Sequence, residues 1–460
     1  MISVILLLMS GVIHFTQFGR PSSVVFDEVF YGSFANSYWQ GQYFFDLHPP
    51  FAKILFAFVG KLFEMDRYIV DWSTIGNSLP ISIVGLRLLP TLAGLILPII
   101  IYLLCRSFDL SKTSSFIAGA LVCFENSLVV QSRYLLPDVI MLTFGFASIL
   151  LYQEYKKRFM MQKSSWFLGL STIFAGISLS IKWTGLTFLF IILILELLRQ
   201  YFYKNNPKTF IKSILLFSFK YVFVASLIYL SLFAIHFSVL SQSGPGNVFM
   251  SPGFQSTLQN NSVGPTQSEP NFWQKIIELN KVMFTSSSGM TATHSNASKW
   301  YTWPIMTRSI FYWQGQIDSN GVNSYIYLLG NPFVYWLGSI TILFTIIYSI
   351  YKIVFNRLSN IDPDKVVSMT FLVVGYLSNL LPYALISRVM FLYHYETALV
   401  ISIIAIAYWL DALQPNIKKY ASVIILITTI SAFIFWSPLT YGTPIDQQQL
   451  KIRMWLPGWR

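Results

Sequence analysis

Apolar runs close to the ~20 residues needed to cross a bilayer core recur along the whole chain. Eleven are read, at residues 2–17, 82–105, 113–131, 135–153, 165–181, 183–200, 211–238, 332–355, 366–386, 392–411 and 420–438. In lipid every backbone polar group must find its partner inside the segment, so runs of this kind predict helices. The pattern therefore predicts an all-α polytopic membrane protein, with residues 1–460 forming one membrane-embedded domain. Residues 2–17 lack the small-residue cleavage site of a signal peptide and read as a retained first span. The charged residues usual ahead of such a span are missing, the pattern of a chain whose start lies further upstream.

Two long polar stretches interrupt the runs. The first, 18–81, contains Phe51–Phe63, too short to span but suited to a helix lying in the interface, with Pro49-Pro50 where a helix start tolerates proline. The second, 239–331, is rich in Ser, Gly, Asn, Thr and Gln, shows no internal repeat, and has room for a few helices.

The net charge of +12 would suggest a nucleic-acid partner were it not for its placement. With an inside N-terminus, fifteen of the 31 basic residues fall in cytoplasmic loops, among them Arg106, Lys156, Lys157, Lys163, Arg199, Lys204 and Arg357. The short outer turns hold Arg133, Lys182 and Arg388 at most. This is the positive-inside asymmetry, so basicity reports topology and membrane lipid, with no nucleic acid expected. Both polar stretches are then extracytoplasmic, and the odd span count sends the C-terminus to the same side. Cys105 and Cys123 fall inside spans near the cytoplasmic side and read as small buried apolar residues.

Only 11% of residues are charged, so ionisable groups near a membrane face require a reason. Asp27, Glu28, Asp46 and His48 lie in the first outer stretch, and Arg87 near the outer end of the second span. Glu125, Arg133 and Asp138 surround the next outer turn, while Arg388, His394 and Glu396 flank the start of the tenth span. A carboxylate can deprotonate an incoming hydroxyl, and arginines can hold a lipid phosphate through paired hydrogen bonds. Structural roles compete with these: Arg87 could snorkel, Glu125 and Lys182 could pair between helices, and His236 reads as a satisfied interfacial histidine. His48 has no second histidine at ligand spacing, so no metal site is expected. Asn260-Asn261-Ser262 and Asn296-Ala297-Ser298 match the glycosylation acceptor pattern, a common triplet.

Phe26-Asp27-Glu28-Val29-Phe30-Tyr31-Gly32, with Phe45-Asp46-Leu47-His48-Pro49-Pro50-Phe51-Ala52-Lys53, resembles the first outer loop of the protein O-mannosyltransferases. The likeness continues in family order through Gly85–Pro90, Glu125–Arg133, Ser243–Ser251, Gly330-Asn331-Pro332, Arg388–Tyr395 and Pro438–Gly442. The resemblance implies a C-type glycosyltransferase helical bundle with an extracytoplasmic cavity. It implies inverting transfer of mannose from polyprenyl- or dolichyl-phosphate mannose to Ser or Thr hydroxyls of proteins. On it, Asp27 is the general base and Glu28 orients the acceptor or the base. Arg87, Arg133, Arg388, His394, Asp46 and His48 are the expected donor-phosphate and substrate residues. No metal or other cofactor is required, although a divalent ion beside the acidic pair stays open, as does a dimer. The second loop is too short for the family's sugar-binding-like MIR domain, which points to a bacterial-type enzyme of the plasma membrane (the endoplasmic reticulum membrane if eukaryotic). Asn247 stands where the family usually carries an acid, and Glu396-Thr397 replaces a leucine-proline pair. The alternatives are a related enzyme using another sugar or a lipid acceptor, and a secondary transporter. Transport fits poorly, because the ionisable residues gather at one face instead of the midplane.

Overall fold

The computed structural model describes residues 1–68, 70–80, 85–158, 165–203, 206–264, 269–289, 293–316, 321–355 and 362–460. The first residues of the predicted 82–105 span and the basic residues Lys163, Lys204 and Arg357 lie outside these. The chain opens with α1 (Ile2–Phe15), α2 (Glu28–Gln40), α3 (Phe51–Leu62), α4 (Leu88–Ser107), α5 (Lys112–Cys123), α6 (Asn126–Arg133) and α7 (Asp138–Arg158). It continues through α8 (Ser165–Leu179), α9 (Leu186–Tyr203), α10 (Pro207–Val239), α11 (Pro252–Ser256) and α12 (Phe272–Ser288). A two-stranded antiparallel hairpin, β1 (Ile310–Gln314) and β2 (Tyr325–Leu328), precedes α13 (Pro332–Val354), α14 (Pro363–Ser378), α15 (Glu396–Asp411), α16 (Pro415–Tyr441) and α17 (Gln447–Arg453).

Helices occupy all eleven predicted span positions, and the protein is a multi-pass membrane protein. Among the described residues seven helices are long and apolar enough to cross by themselves, eight when the bent pair α5–α6 counts as one. The shortfall of three has two sources: α1 and α8 hold only 14 and 15 residues, while α7 is long enough at 21 but carries Asp138 at its start and Lys156, Lys157 and Arg158 in its last turn.

Burial sorts the spans. α15 is 78% buried over its apolar window and α10 only 17%, so α15 is the core of the bundle and α10 a lipid-facing wall. α4 lies against α1, α5, α6 and α7 and joins the two halves of the core. The 55° break between α5 and α6 falls at Phe124-Glu125. Glu125 leaves the helical conformation to cap α6, its Oε2 accepting from Leu128 N at 2.8 Å and Ser127 Oγ at 2.6 Å. Its Oε1 accepts from Asn331 N at 2.7 Å, so one buried carboxylate fixes both the bend and the start of α13.

The predicted interfacial helix is α3, and the second long stretch holds short helices as expected. It also holds the hairpin, which the reading did not foresee. The two polar stretches are tied together by backbone: Tyr43 N donates to Gln242 O at 2.8 Å and Gly246 N to Tyr43 O at 3.0 Å. A Cβ on Gly244 would lie 2.4 Å from Tyr43 O, so Ser243-Gly-Pro-Gly246 is a close-approach motif needing glycine. Asn247 closes that turn, its Oδ1 accepting from Gly244 N at 3.1 Å.

Candidate active site

Asp27 is the N-cap residue of α2 and Glu28 its first helical residue, so the two adjacent carboxylates point into different surroundings. Glu28 is buried and saturated. Its Oε1 accepts from Arg87 Nε at 2.8 Å and Leu135 N at 2.9 Å; its Oε2 accepts from Arg87 Nη2 at 2.6 Å and Val25 N at 2.9 Å. Arg87 spends its remaining donors on the carbonyls of Gly19, Pro21 and Ser23 at 3.1, 2.7 and 2.7 Å. All five of its N–H groups are thus used inside the protein, so in this arrangement Arg87 has no free donor for the phosphate it was expected to hold. Glu28 likewise has no lone pair left for an acceptor.

Arg133 is engaged in a similar way through its two Nη groups, while its Nε is buried without a partner. It is buried, donates to the carbonyls of His14, Thr16 and Gln17 at 3.3, 2.7 and 2.7 Å, and lies over the Tyr441 ring. Its work is to close the C-terminal end of α1, where orphan carbonyls favour a cation.

Asp46 forms a short ion pair with the buried Lys53 of α3, whose ammonium also donates to His48 O at 2.6 Å. This fixes the turn that delivers His48 to a cavity of about 300 Å³, the lower end of the ~300–1,000 Å³ range of small-ligand sites. Burial holds the His48 imidazole well below its usual pKa, and Lys182, Lys53 and Arg388 push the same way, so it is neutral at pH 7.

Around the cavity stand His48, Arg388, His394, Glu396 and the ion pair Lys182–Asp138, with Nζ–Oδ distances of 2.7 and 2.8 Å. Lys182 therefore pairs with Asp138, not with Glu125 as the sequence suggested. Arg388 contrasts with Arg87: its Nε is buried without a partner, and among the described residues its guanidinium makes no hydrogen bond or ion pair. His394 is oriented by Phe391, whose carbonyl lies 3.0 Å from its Nδ1, and stacks parallel to Trp303. Nδ1 is thus engaged by the Phe391 backbone, and the residue lines the cavity.

Asp27 stands beside this wall, close enough to Lys182, Asp138 and Asp46 for their charges to act on it. Its side chain makes no hydrogen bond among the described residues and keeps part of its surface open. Protein packed around it still outweighs that opening: burial lifts its carboxyl from the ordinary 3.8 to about 7, Lys182 opposing and Asp138 and Asp46 adding. Among the described residues, no three His, Cys, Asp or Glu come together as metal ligands.

Sequence reading missed the Lys182–Asp138 pair and the unpaired state of Glu396. A lysine at the outer end of one span and an aspartate starting another were the available signals.

Residues 4–241 match the family model described as dolichyl-phosphate-mannose-protein mannosyltransferase, and residues 272–459 that of the C-terminal four-TMM region of protein-O-mannosyltransferase. The chain is similar to dolichyl-phosphate-mannose–protein mannosyltransferase 4 of Candida albicans, 31% identical over 67% of this chain. That alignment spans 40% of the relative's own length. Its fold matches a chain of the Saccharomyces cerevisiae protein O-mannosyltransferase complex bound to the sugar donor, with a TM-score of 0.90 at 20% identity, covering 100% of this chain and 92% of that one. A more distant likeness is to the Archaeoglobus fulgidus oligosaccharyltransferase, with a TM-score of 0.55 at 11% identity over 99% of this chain and 57% of that one. With a family model matched over more than half of its length, the chain belongs to the protein O-mannosyltransferase family.

Proposed function

We propose that this protein transfers mannose from a polyprenyl- or dolichyl-phosphate mannose to Ser or Thr hydroxyls of proteins at the extracytoplasmic membrane face. The observation that carries the reading is a carboxylate, Asp27, with its pKa lifted to about 7, beside a cavity lined by Arg388, neither side chain having a hydrogen-bond partner among the described residues. A base whose pKa lies near the working pH is suited to take a proton from an alcohol. The hydroxyl oxygen attacks C1 of the sugar as its proton passes to Asp27. The C1–O bond to phosphate breaks, its electron pair stays on the phosphate oxygen, and Arg388 holds that charge. One displacement inverts the anomeric centre. Neutral His48, together with His394, supplies hydrogen-bonding groups for the donor. Orientation follows from the excess of basic residues at the end opposite the cavity, and a bacterial-type plasma membrane from the compact second outer loop.

The test is direct. Purified protein receives radiolabelled polyprenyl-phosphate mannose and a Ser/Thr-rich peptide, beside Asp27→Asn. Label on the peptide with wild type alone is the expected result. Equal transfer by Asp27→Asn removes the base role; label on lipid alone reassigns the acceptor.

A further inference from the structure

Glu396, the first residue of α15, is 2% exposed and lines the cavity, yet neither carboxylate oxygen meets a hydrogen-bond donor from the protein. Gln131 lies near enough to bear on the carboxyl, but not in hydrogen-bonding geometry, and its own Oε1 is also unpaired. The charged groups facing Glu396 are Asp138 and Glu125, which repel it, and Lys182, which Asp138 already engages. A buried carboxylate without donors costs several kcal/mol. Elsewhere this fold does not tolerate that cost: the equally buried Glu28, Glu125 and Glu196 all have hydrogen-bond donors. Among the described residues Glu396 is the exception, and it is the one of the four that lines the cavity.

We infer that Glu396 recognises the sugar of the glycosyl phosphate, accepting hydrogen bonds from its hydroxyls while Arg388 holds the phosphate. A ligand that satisfies both groups carries an anion and neutral O–H donors a short distance apart, which is the chemistry of a sugar phosphate. The depth of Glu396 argues for the sugar ring over a peptide, whose backbone would be held at the exposed rim marked by Leu385 and Phe284. The inference deepens the proposed reaction and rests on its donor. Glu396 would then set which sugar is accepted, because a site built around hydroxyls rejects analogues that lack them.

The experiment compares wild type, Glu396→Gln and Glu396→Leu on polyprenyl-phosphate mannose and its 2-, 3-, 4- and 6-deoxy analogues. Wild type is expected to lose about 10–100-fold in kcat/KM on at least one analogue. Glu396→Leu should lose a similar factor on mannose and become indifferent to that deoxygenation, with Glu396→Gln in between. The melting temperature of Glu396→Leu should hold or rise, since a buried carboxyl without hydrogen-bond partners is removed. A Glu396→Leu enzyme within twofold of wild type, or one that keeps the deoxy penalty, overturns the inference. So does a large fall in melting temperature, which would reveal an internal partner. If wild type transfers no mannose, the reaction fails, and the same series is read as the part of the intrinsic tryptophan quenching that Trp183→Phe removes, Trp183 lining the cavity. A binding penalty on deoxygenation that Glu396→Leu removes still supports sugar recognition; no penalty overturns it.

Discussion

Arg87 and Arg388 both reach the same end of the bundle, and they could hardly be treated more differently. Arg87 is locked between Glu28 and three loop carbonyls, with every donor used. Arg388 faces a cavity with its Nε unpaired. The acidic neighbours repeat the contrast: Glu28 accepts four hydrogen bonds, while adjacent Asp27 accepts none from described residues. Charge near a membrane face is therefore not evidence of chemistry until its partners are counted. Saturated groups build the scaffold; unsaturated ones are left for the ligand.

Substitutions on either side of this divide should fail in different ways. Asp27→Asn should slow transfer by about 10²–10⁴-fold with an unchanged melting temperature; a folding defect instead would move Asp27 to the scaffold. Arg87→Ala and Glu28→Gln should each cost about 3–5 kcal/mol of stability, seen as lost expression or a lowered melting temperature, because each leaves a buried charge unpaired. Well-folded but inactive variants at these positions would erase the distinction. Arg388→Ala should lower kcat/KM for the lipid donor roughly 10–100-fold while the fold survives, with partial recovery in Arg388→Lys. The pH profile sharpens the Asp27 side: kcat/KM should rise about tenfold between pH 6 and 8, as the carboxyl with a pKa of about 7 loses its proton. At the opposite end Lys157→Ala breaks an exposed pair with Asp109 and should change stability by less than about 1 kcal/mol.

The positions of the spans were legible because lipid enforces long apolar helices, and the acidic pair was legible because charge is scarce in such a chain. Partner identity was not. Arg87 and Arg133 are consumed largely by backbone carbonyls of residues 14–23, and carbonyls leave no mark in a sequence. The 55° bend was read as an uninterrupted 113–131 run because its cause is a side-chain cap by Glu125 together with Asn331. The β1–β2 hairpin was hidden because its strands, Ile310–Gln314 and Tyr325–Leu328, lie in a polar stretch and are nearly all apolar or aromatic, without period-two alternation.

The segment between α1 and α2 is gripped at five carbonyls, with a sixth at His14 in the last turn of α1, by two arginines, one at the start of α4 and one at the end of α6. Its consequence is mechanical. The connector is clamped along its course, so a shift at the end of α1 is passed through the backbone to Asp27 at the start of α2. Bilayer thickness, which acts on the depth of a helix, thereby becomes a variable that reaches the carboxylate proposed as the base.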